Sequence, residues 1–100
     1  MRLTDDAFRN DKNSLRINTH NKLEHERTKL DVMYMWIKKG KTCFSEVKMK
    51  GGGCADVLIP EDFRIVEVLH TETMKEALSK TKKYPMEFEI DFVTTKEEIK

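Results

Sequence analysis

The sequence predicts an α/β domain in which one helix is followed by three strands, a second helix and a fourth strand. Apolar residues recur at helical spacing in two segments, and short apolar or alternating runs lie between and after those segments. Both faces of the middle strands carry apolar residues, so we expect helices on both sides of the sheet. The chain has 100 residues, which suits one domain with a modest core.

The first helix is predicted from an N-cap at Asn21, with Glu24 three residues later, to a stop at Gly40. Glu26 falls into a gap of the apolar stripe, where a carboxylate costs free energy unless it is paired, protonated or bound to a cation. A solvated stripe edge, or a salt bridge to a nearby Lys or Arg, is the alternative. The stripe itself comprises Leu23, Leu30, Met33 and Ile37.

The residues before this helix, 1–18, are polar and show no periodicity. They are predicted to be an N-terminal arm, either docked on the domain, mobile, or forming a short helix. The single domain is predicted to cover residues 19–100.

Three strands are predicted next. The first spans residues 41–49 and is followed by three glycines, at 51–53, which either form a loose hairpin connection or admit a phosphate backbone. Two apolar runs, 54–59 and 63–69, are joined by the turn-forming segment 60–62. A hairpin centred on Glu61 and Asp62 pairs positions whose numbers add up to 123.

Asp56 and Glu67 satisfy that sum and are therefore predicted to face each other on an apolar sheet surface. Cross-strand Cβ atoms lie about 4.5–5.5 Å apart, and like charges in such a pair are destabilising. A divalent cation is the natural compensation, because carboxylate oxygens are its preferred ligands. The pair is thus a candidate metal site.

The second helix is predicted to start at Thr73, with Glu76 completing a capping box, and to be closed by Pro85. Its predicted buried side comprises Met74, Ala77, Leu78 and Thr81. Residues 86–93 alternate between apolar and acidic side chains, which predicts a half-buried strand near a sheet edge. A last helical turn is predicted from Thr95.

The composition limits the classes of function. The net charge is +1 with 37% charged residues, so any nucleic-acid surface must come from local segregation of charge. No segment resembles a signal peptide and no apolar run reaches membrane-spanning length, which predicts a cytoplasmic protein without membrane contact. Cys43 and Cys54 lack the spacing of a zinc site and are expected to be reduced core residues.

This order of elements resembles the PD-(D/E)XK nuclease superfamily. The family motif places an acidic residue on the first helix, an Asp on the second strand, and Glu-x-Lys or Asp-x-Lys on the third. Glu26, Asp56 and Glu67 stand at those positions, and the resemblance covers residues 20–93. It implies a restriction-endonuclease-like αβββαβ core with a mixed sheet flanked by helices.

The position of the motif lysine is occupied by Leu69. Some members of the family supply this lysine from elsewhere, and Lys80 is the preferred substitute here. The segment from Lys80 to Tyr84 resembles the Gln-x-x-x-Tyr element that exonuclease-like members carry on the second helix. Lys48, Lys75 and Lys82 are the other candidates.

The resemblance implies a nuclease that hydrolyses phosphodiester bonds, with DNA as the expected substrate. Mg²⁺ or Mn²⁺ would be held by Glu26, Asp56, Glu67 and the backbone carbonyl of Val68. Phosphate contacts are expected from Lys48, Lys50, Lys82 and Lys83. The small size suggests a homodimer or larger assembly for gripping a duplex.

Two other hypotheses stand beside the nuclease. Leu69 and the near-neutral charge favour a catalytically inactive nucleic-acid-binding or assembly module on the same fold. Alternatively, every carboxylate is a surface or salt-bridged group of an unrelated α/β protein.

Overall fold

The predicted order of elements is confirmed by the computed structural model, which describes residues 12–95. The predicted final turn from Thr95 and most of the predicted N-terminal arm lie outside the described residues. No helix within residues 12–95 is long and apolar enough to cross a membrane. The elements are α1 (Leu23–Lys38), β1 (Phe44–Lys48), β2 (Cys54–Ile59), β3 (Arg64–Leu69), α2 (Met74–Thr81) and β4 (Glu89–Thr94).

The strands form one mixed sheet in the order β1-β2-β3-β4. β1 and β3 both run antiparallel to β2, whereas β4 runs parallel to β3. Val57 pairs with Val66 and Leu58 with Ile65, which confirms the predicted hairpin register. A short 3-10 turn at Pro60–Asp62 and a left-handed Phe63, with φ of 49°, connect β2 to β3.

The sheet is packed on both faces, as predicted. Val57, Ile59 and Val66 lie in one cluster with Val32 and Met33 of α1. The opposite face has a second cluster, in which the segment after α2 contributes two aromatic rings. Its buried members are Val47, Met49, Ala55, Leu58, Ile65, Tyr84 and Phe88. Alternation along β2 and β3 therefore sends their side chains to two different layers.

Helix α1 is rotated relative to its predicted orientation. Leu23 and Leu30, expected in the core, are 59% and 50% exposed. Met33 and Glu26 are buried, as predicted, but the rest of the buried face comprises His25, Lys29 and Val32. This orientation is stable because the buried charges pair with one another, as described below. The predicted stop at Gly40 is confirmed by its φ of 91°, but the N-cap is Lys22 and not Asn21.

Helix α2 has the predicted capping box between Thr73 and Glu76. Ala77 and Thr81 are buried as predicted, whereas Met74 and Leu78 are exposed. The helix has eight residues, and only one residue per turn, Ala77 and then Thr81, reaches the core. The segment that follows the helix carries Tyr84.

Strand β4 lies at the sheet edge, as predicted, but starts at Glu89. Met86, expected on the buried face, is 98% exposed. A hydrogen bond from the Phe88 amide to the Pro85 carbonyl, 3.2 Å long, holds these residues in a turn. The acidic outer face of β4 is compensated by Arg64, which forms an ion pair with Glu89 and another with Asp91.

The three glycines between β1 and β2 are packed against the end of α2. All have positive φ, and a Cβ at Gly53 would lie 3.1 Å from Tyr84 Cε1. A Cβ at Gly51 would lie 3.0 Å from the Lys83 carbonyl oxygen. Glycine is therefore required here because the backbone of this turn lies against Lys83 and Tyr84 of the same protein. This close packing holds Tyr84 beside the sheet.

Candidate functional site

Asp56 and Glu67 occupy the next position of the hairpin register beyond Val57 and Val66. The Asp56 amide donates to Glu67 Oε2 at 3.3 Å, and the Val68 amide donates to Asp56 Oδ2 at 2.7 Å. Both side chains are buried. The structure thus brings the two carboxylates together on neighbouring strands, as the sequence predicted.

Lys80 and Tyr84 reach Glu67 from the α2 side. Lys80 Nζ lies 2.8 Å from Glu67 Oε1, and the Tyr84 hydroxyl lies 3.1 Å from Glu67 Oε2. The same hydroxyl donates to the Cys54 carbonyl at 3.0 Å. The predicted substitute lysine therefore contacts the predicted site, because α2 places it over the end of β3.

The protonation of Glu67 is shifted by this environment. Burial, reinforced by the charge of Asp56, raises the pKa of Glu67 to about 7, although Lys80 and Tyr84 oppose the shift. A buried carboxyl group that titrates near neutral pH is typical of functional sites. The raised pKa of Glu67 also reflects its repulsion by the Asp56 carboxylate, which a bound cation would remove.

His25 joins the site from helix α1. Its Nε2 atom lies 3.5 Å from Asp56 Oδ2, and its Nδ1 atom lies 2.8 Å from Glu26 Oε2. Burial alone would lower the pKa of His25, but hydrogen bonds and charge from Asp56 and Glu26 outweigh it and raise the pKa. The imidazole therefore lies between the two carboxylates and keeps them apart.

Glu26 belongs to a buried ion-pair network centred on Lys29. Lys29 Nζ lies 2.7 Å from Glu26 Oε1, 2.8 Å from Glu46 Oε2 and 2.9 Å from the Arg16 carbonyl. Burial alone would raise the pKa of Glu26, but the ammonium group and a hydrogen bond from the Asn18 amide hold it at about 2. Glu26 is thus ionised and fully engaged inside the protein.

The same network fixes part of the predicted N-terminal arm. The Asn13 amide donates to the Cys43 carbonyl, and the Arg16 amide donates to Ser45 Oγ at 2.8 Å. Together with the Arg16 carbonyl on Lys29, these bonds dock residues 13–18 on β1 and α1. Asn18, the last residue of this segment, lines the cleft together with Asp56.

The cleft has a volume of about 380 Å³. It is lined by side chains from the segment before α1, from α1, β1 and β2, from the loop after β3 and from α2. Its lining residues are Asn18, His20, Asn21, Lys22, His25, Glu46, Cys54, Asp56, His70, Thr71, Glu72 and Lys80. A polar cleft with both signs of charge suits a charged ligand better than an apolar one.

The structure separates the predicted metal ligands. Asp56 and Glu67 meet, but Glu26 is held away from them by His25 and Lys29. Across residues 12–95, no group of three or more His, Cys, Asp or Glu side chains is arranged to hold a metal ion. The predicted convergence of three carboxylates is therefore not present.

The other residues predicted for the site lie either in the core or on the surface. Leu69, where the motif lysine was expected, is buried in the sheet. Lys48, Lys50, Lys82 and Lys83 are exposed. Lys83 packs across the glycine turn that follows Lys50, which brings two of the four lysines to the same end of the molecule. Cys43 and Cys54 are free, as expected, and Cys43 is the more buried.

Three important residues were missed by the sequence reasoning: His25, Lys29 and Glu46. A signal for two of them was present, because His25, Lys29 and Val32 recur at spacings of four and three residues along one helix face. Charged residues on such a face are normally assigned to solvent, so the apolar pattern predicted a buried face that includes Leu23 and Leu30 and excludes His25 and Lys29. Only their mutual pairing makes this face the buried one.

Comparison of the chain with protein-family models, curated proteins and solved structures yields no match.

The raised pKa of Glu67 predicts a specific dependence of stability on pH. The neutral carboxyl contributes stability that is complete below about pH 4.5 and is lost as the pH rises through about 7. Relative to the Glu67→Gln variant, the wild-type protein should lose about 2–3 kcal/mol of unfolding free energy between pH 5 and pH 8. Urea unfolding of both proteins in EDTA measures this difference. Equal pH dependence of the two proteins would contradict the shifted pKa.

Proposed function

We propose that this chain is a metal-dependent nuclease with a restriction-endonuclease-like core, and that its substrate is DNA. One observation supports the proposal: Asp56 and Lys80, from β2 and α2, line a polar cleft, and both contact the buried Glu67 of β3. The sheet order β1-β2-β3-β4, with the last pair parallel, agrees with the fold that this site type requires. Lys80 would supply the ammonium group that the family motif places at position 69, where this chain has Leu.

The donor set fits Mg²⁺ or Mn²⁺ in part. Asp56 and Glu67 supply hard carboxylate oxygens, and their mutual repulsion is the kind that a divalent cation relieves. Glu26 does not fit, because its charge is already compensated by Lys29. A cation held by Asp56, Glu67 and the Val68 carbonyl would lower the pKa of a bound water and neutralise charge on a phosphodiester.

The chain's own residues would perform the other steps. Lys80 is partly exposed at the cleft, so its ammonium group can contact a phosphate oxygen while it remains near Glu67. Lys48, Lys50, Lys82 and Lys83 would contact the phosphate backbone on either side and fix its position. His25 would keep Asp56 oriented through its Nε2 contact.

The proposal is tested by incubating the protein with single-stranded, duplex and branched DNA in Mn²⁺. We expect cleavage that EDTA stops, and we expect Asp56→Asn and Glu67→Ala to abolish it by removing the converging carboxylates. Asp31→Asn is the matched control, because Asp31 is exposed on α1. RNA of the same sequence, run in parallel, tests the choice of DNA.

A second candidate is a catalytically inactive nucleic-acid-binding or assembly module on the same fold. It is favoured by the internal compensation of the site, where Lys80 contacts Glu67 and His25 contacts Asp56. The absence of cleavage on every substrate, with DNA binding that weakens as salt increases, would establish this function instead. A homodimer that spans a duplex is part of either proposal, and light scattering at increasing protein concentration tests it.

A further inference from the structure

Strand β4 leaves one edge of the sheet open. It pairs with β3 on one side, and within residues 12–95 no strand borders its other side. The strand contains no Lys and no Pro, the residues with which proteins commonly prevent pairing at an exposed edge. Its acidic residues, Glu89 and Asp91, are already paired with Arg64 of the same chain. The open edge is therefore suited to pairing with an extended segment of another molecule.

Three residues of β4 direct their backbone polar groups away from β3. The Glu89 amide, at the start of the strand, donates to the Phe63 carbonyl at 2.8 Å. The Thr95 amide, just after the strand, donates to the last carbonyl of β3 at 3.0 Å. Because the direction alternates along a strand, the even-numbered residues present their amides and carbonyls to the open edge. These outward residues are Ile90, Phe92 and Thr94.

We propose that β4 pairs antiparallel with β4 of a second copy of this chain, with Phe92 facing its own symmetry mate on the two-fold axis. Antiparallel strands bond only where outward-directed residues lie opposite each other, so the allowed registers differ in steps of two residues. In the proposed register Ile90 faces Thr94 of the partner subunit. Every outward residue then has a partner, and each facing pair exchanges two main-chain hydrogen bonds.

The acidic side chains of β4 select this register. With Phe92 on the axis, Asp91 faces Val93 of the partner subunit, and Glu89 faces Thr95 of the partner subunit. A shift by one step places Asp91 opposite its own symmetry mate, and the next step places it opposite Glu89 of the partner subunit. Like charges directly opposite each other are destabilising. A shift in the other direction leaves an outward residue without a partner in β4.

The proposed pairing also covers an apolar side chain. Ile90 packs against the core cluster that contains Ile65 and Tyr84. Phe92 follows Ile90 by two residues, so it lies on the same face of the sheet, where it is partly exposed. Two Phe92 rings that face each other across the axis bury apolar surface that a single copy leaves in contact with water.

The interface brings two candidate sites to one face of a continuous sheet. Glu67 is the neighbour of Phe92 in the β3–β4 ladder. The backbones of the two Glu67 residues are therefore separated by three inter-strand spacings, about 14 Å. The two-fold axis is perpendicular to the sheet, so both sites open on the same side and can contact one nucleic-acid molecule. This inference rests on the homodimer of the proposed function and names its surface.

The experiment scans single cysteines along β4 in the full-length protein. Residues 90–94 are replaced one at a time by cysteine and oxidised, and the covalent dimer is measured by non-reducing electrophoresis. Phe92→Cys should give the most dimer, because Cα atoms of a hydrogen-bonded antiparallel pair lie about 5.5 Å apart, which a disulfide can span. Mass spectrometry identifies the linked residues. The wild-type protein, which contains Cys43 and Cys54, gives the background.

Phe92→Lys tests the dimer without a covalent link. It places two ammonium groups opposite each other on the axis, so the dissociation constant from analytical ultracentrifugation should rise about tenfold or more. Leu30→Lys is the matched control, because Leu30 is an exposed apolar residue of α1, outside β4. It should leave the dissociation constant unchanged. Circular dichroism establishes that both variants are folded.

The outcomes separate this inference from the proposed function. Strongest cross-linking at any other scanned position, or a dimer that Phe92→Lys does not weaken, would overturn the inference and leave a homodimer in place. A monomer at every concentration would overturn both the inference and the homodimer. A dimer linked through position 92 that cleaves no nucleic acid would support this surface and reject the nuclease.

Discussion

Replacing Lys29 by methionine is expected to lower the free energy of unfolding by about 3–5 kcal/mol. Lys29 is fully buried, and its ammonium group contacts the Glu26 and Glu46 carboxylates and the Arg16 carbonyl. The methionine side chain fills the same space, but it leaves two carboxylates without this cation. Urea unfolding at pH 7, followed by circular dichroism, measures the loss.

The exposed Lys38, on the same helix, provides the control. Lys38→Met should change the unfolding free energy by less than about 0.5 kcal/mol. The triple variant Lys29→Met, Glu26→Gln, Glu46→Gln should recover part of the loss, because it removes the uncompensated charges together with the cation. A Lys29→Met protein as stable as the wild type would show that the buried network contributes little to stability.

Replacing Lys80 by methionine is expected to reduce kcat for DNA cleavage about 10²–10³-fold. Its ammonium group lies 2.8 Å from Glu67 Oε1. Within residues 12–95, it is the positively charged group in closest contact with that carboxylate. In the proposed reaction it stabilises charge that develops on the phosphate, and methionine cannot do so. Single-turnover cleavage of a labelled duplex in Mn²⁺ measures the effect.

Two controls separate this role from others. Lys75→Met, on an exposed position of the same helix, should leave kcat unchanged. Mn²⁺ affinity should not fall in Lys80→Met, since the variant removes a positive charge from the site. Full cleavage by Lys80→Met, with cleavage lost in Lys82→Met or Lys48→Met, would assign the catalytic lysine elsewhere.

The hairpin shows how far local sequence signals extend. Two apolar runs and a turn centred on Glu61 and Asp62 were enough to predict the pairing of Val57 with Val66, because the centre of a hairpin turn fixes which positions face each other. The same register placed Asp56 beside Glu67. Lys80 was predicted from the resemblance of the segment Lys80–Tyr84 to the Gln-x-x-x-Tyr element, so the sequence and that resemblance together predicted three of the site residues.

Helix α1 shows where such signals fail. Its leucines suggested one buried face, but Leu23 and Leu30 are exposed, and the core side carries His25, Glu26 and Lys29. Periodicity counts apolar side chains and treats each charge as a cost. A partner from another element offsets the free-energy cost of a buried charge. Lys29 has such a partner in Glu46, which lies on β1 and is distant in sequence.

The sequence by itself determined the order of the elements, the β2–β3 register and the juxtaposition of Asp56 with Glu67. These features depend on spacing along the chain, through turns, caps and strand alternation. Only the tertiary structure decided which face of α1 is buried, and hence that His25 reaches Asp56 while Glu26 pairs with Lys29. The physical reason is that the free energy of a buried charge depends on its partners in space, which spacing along the chain does not reveal.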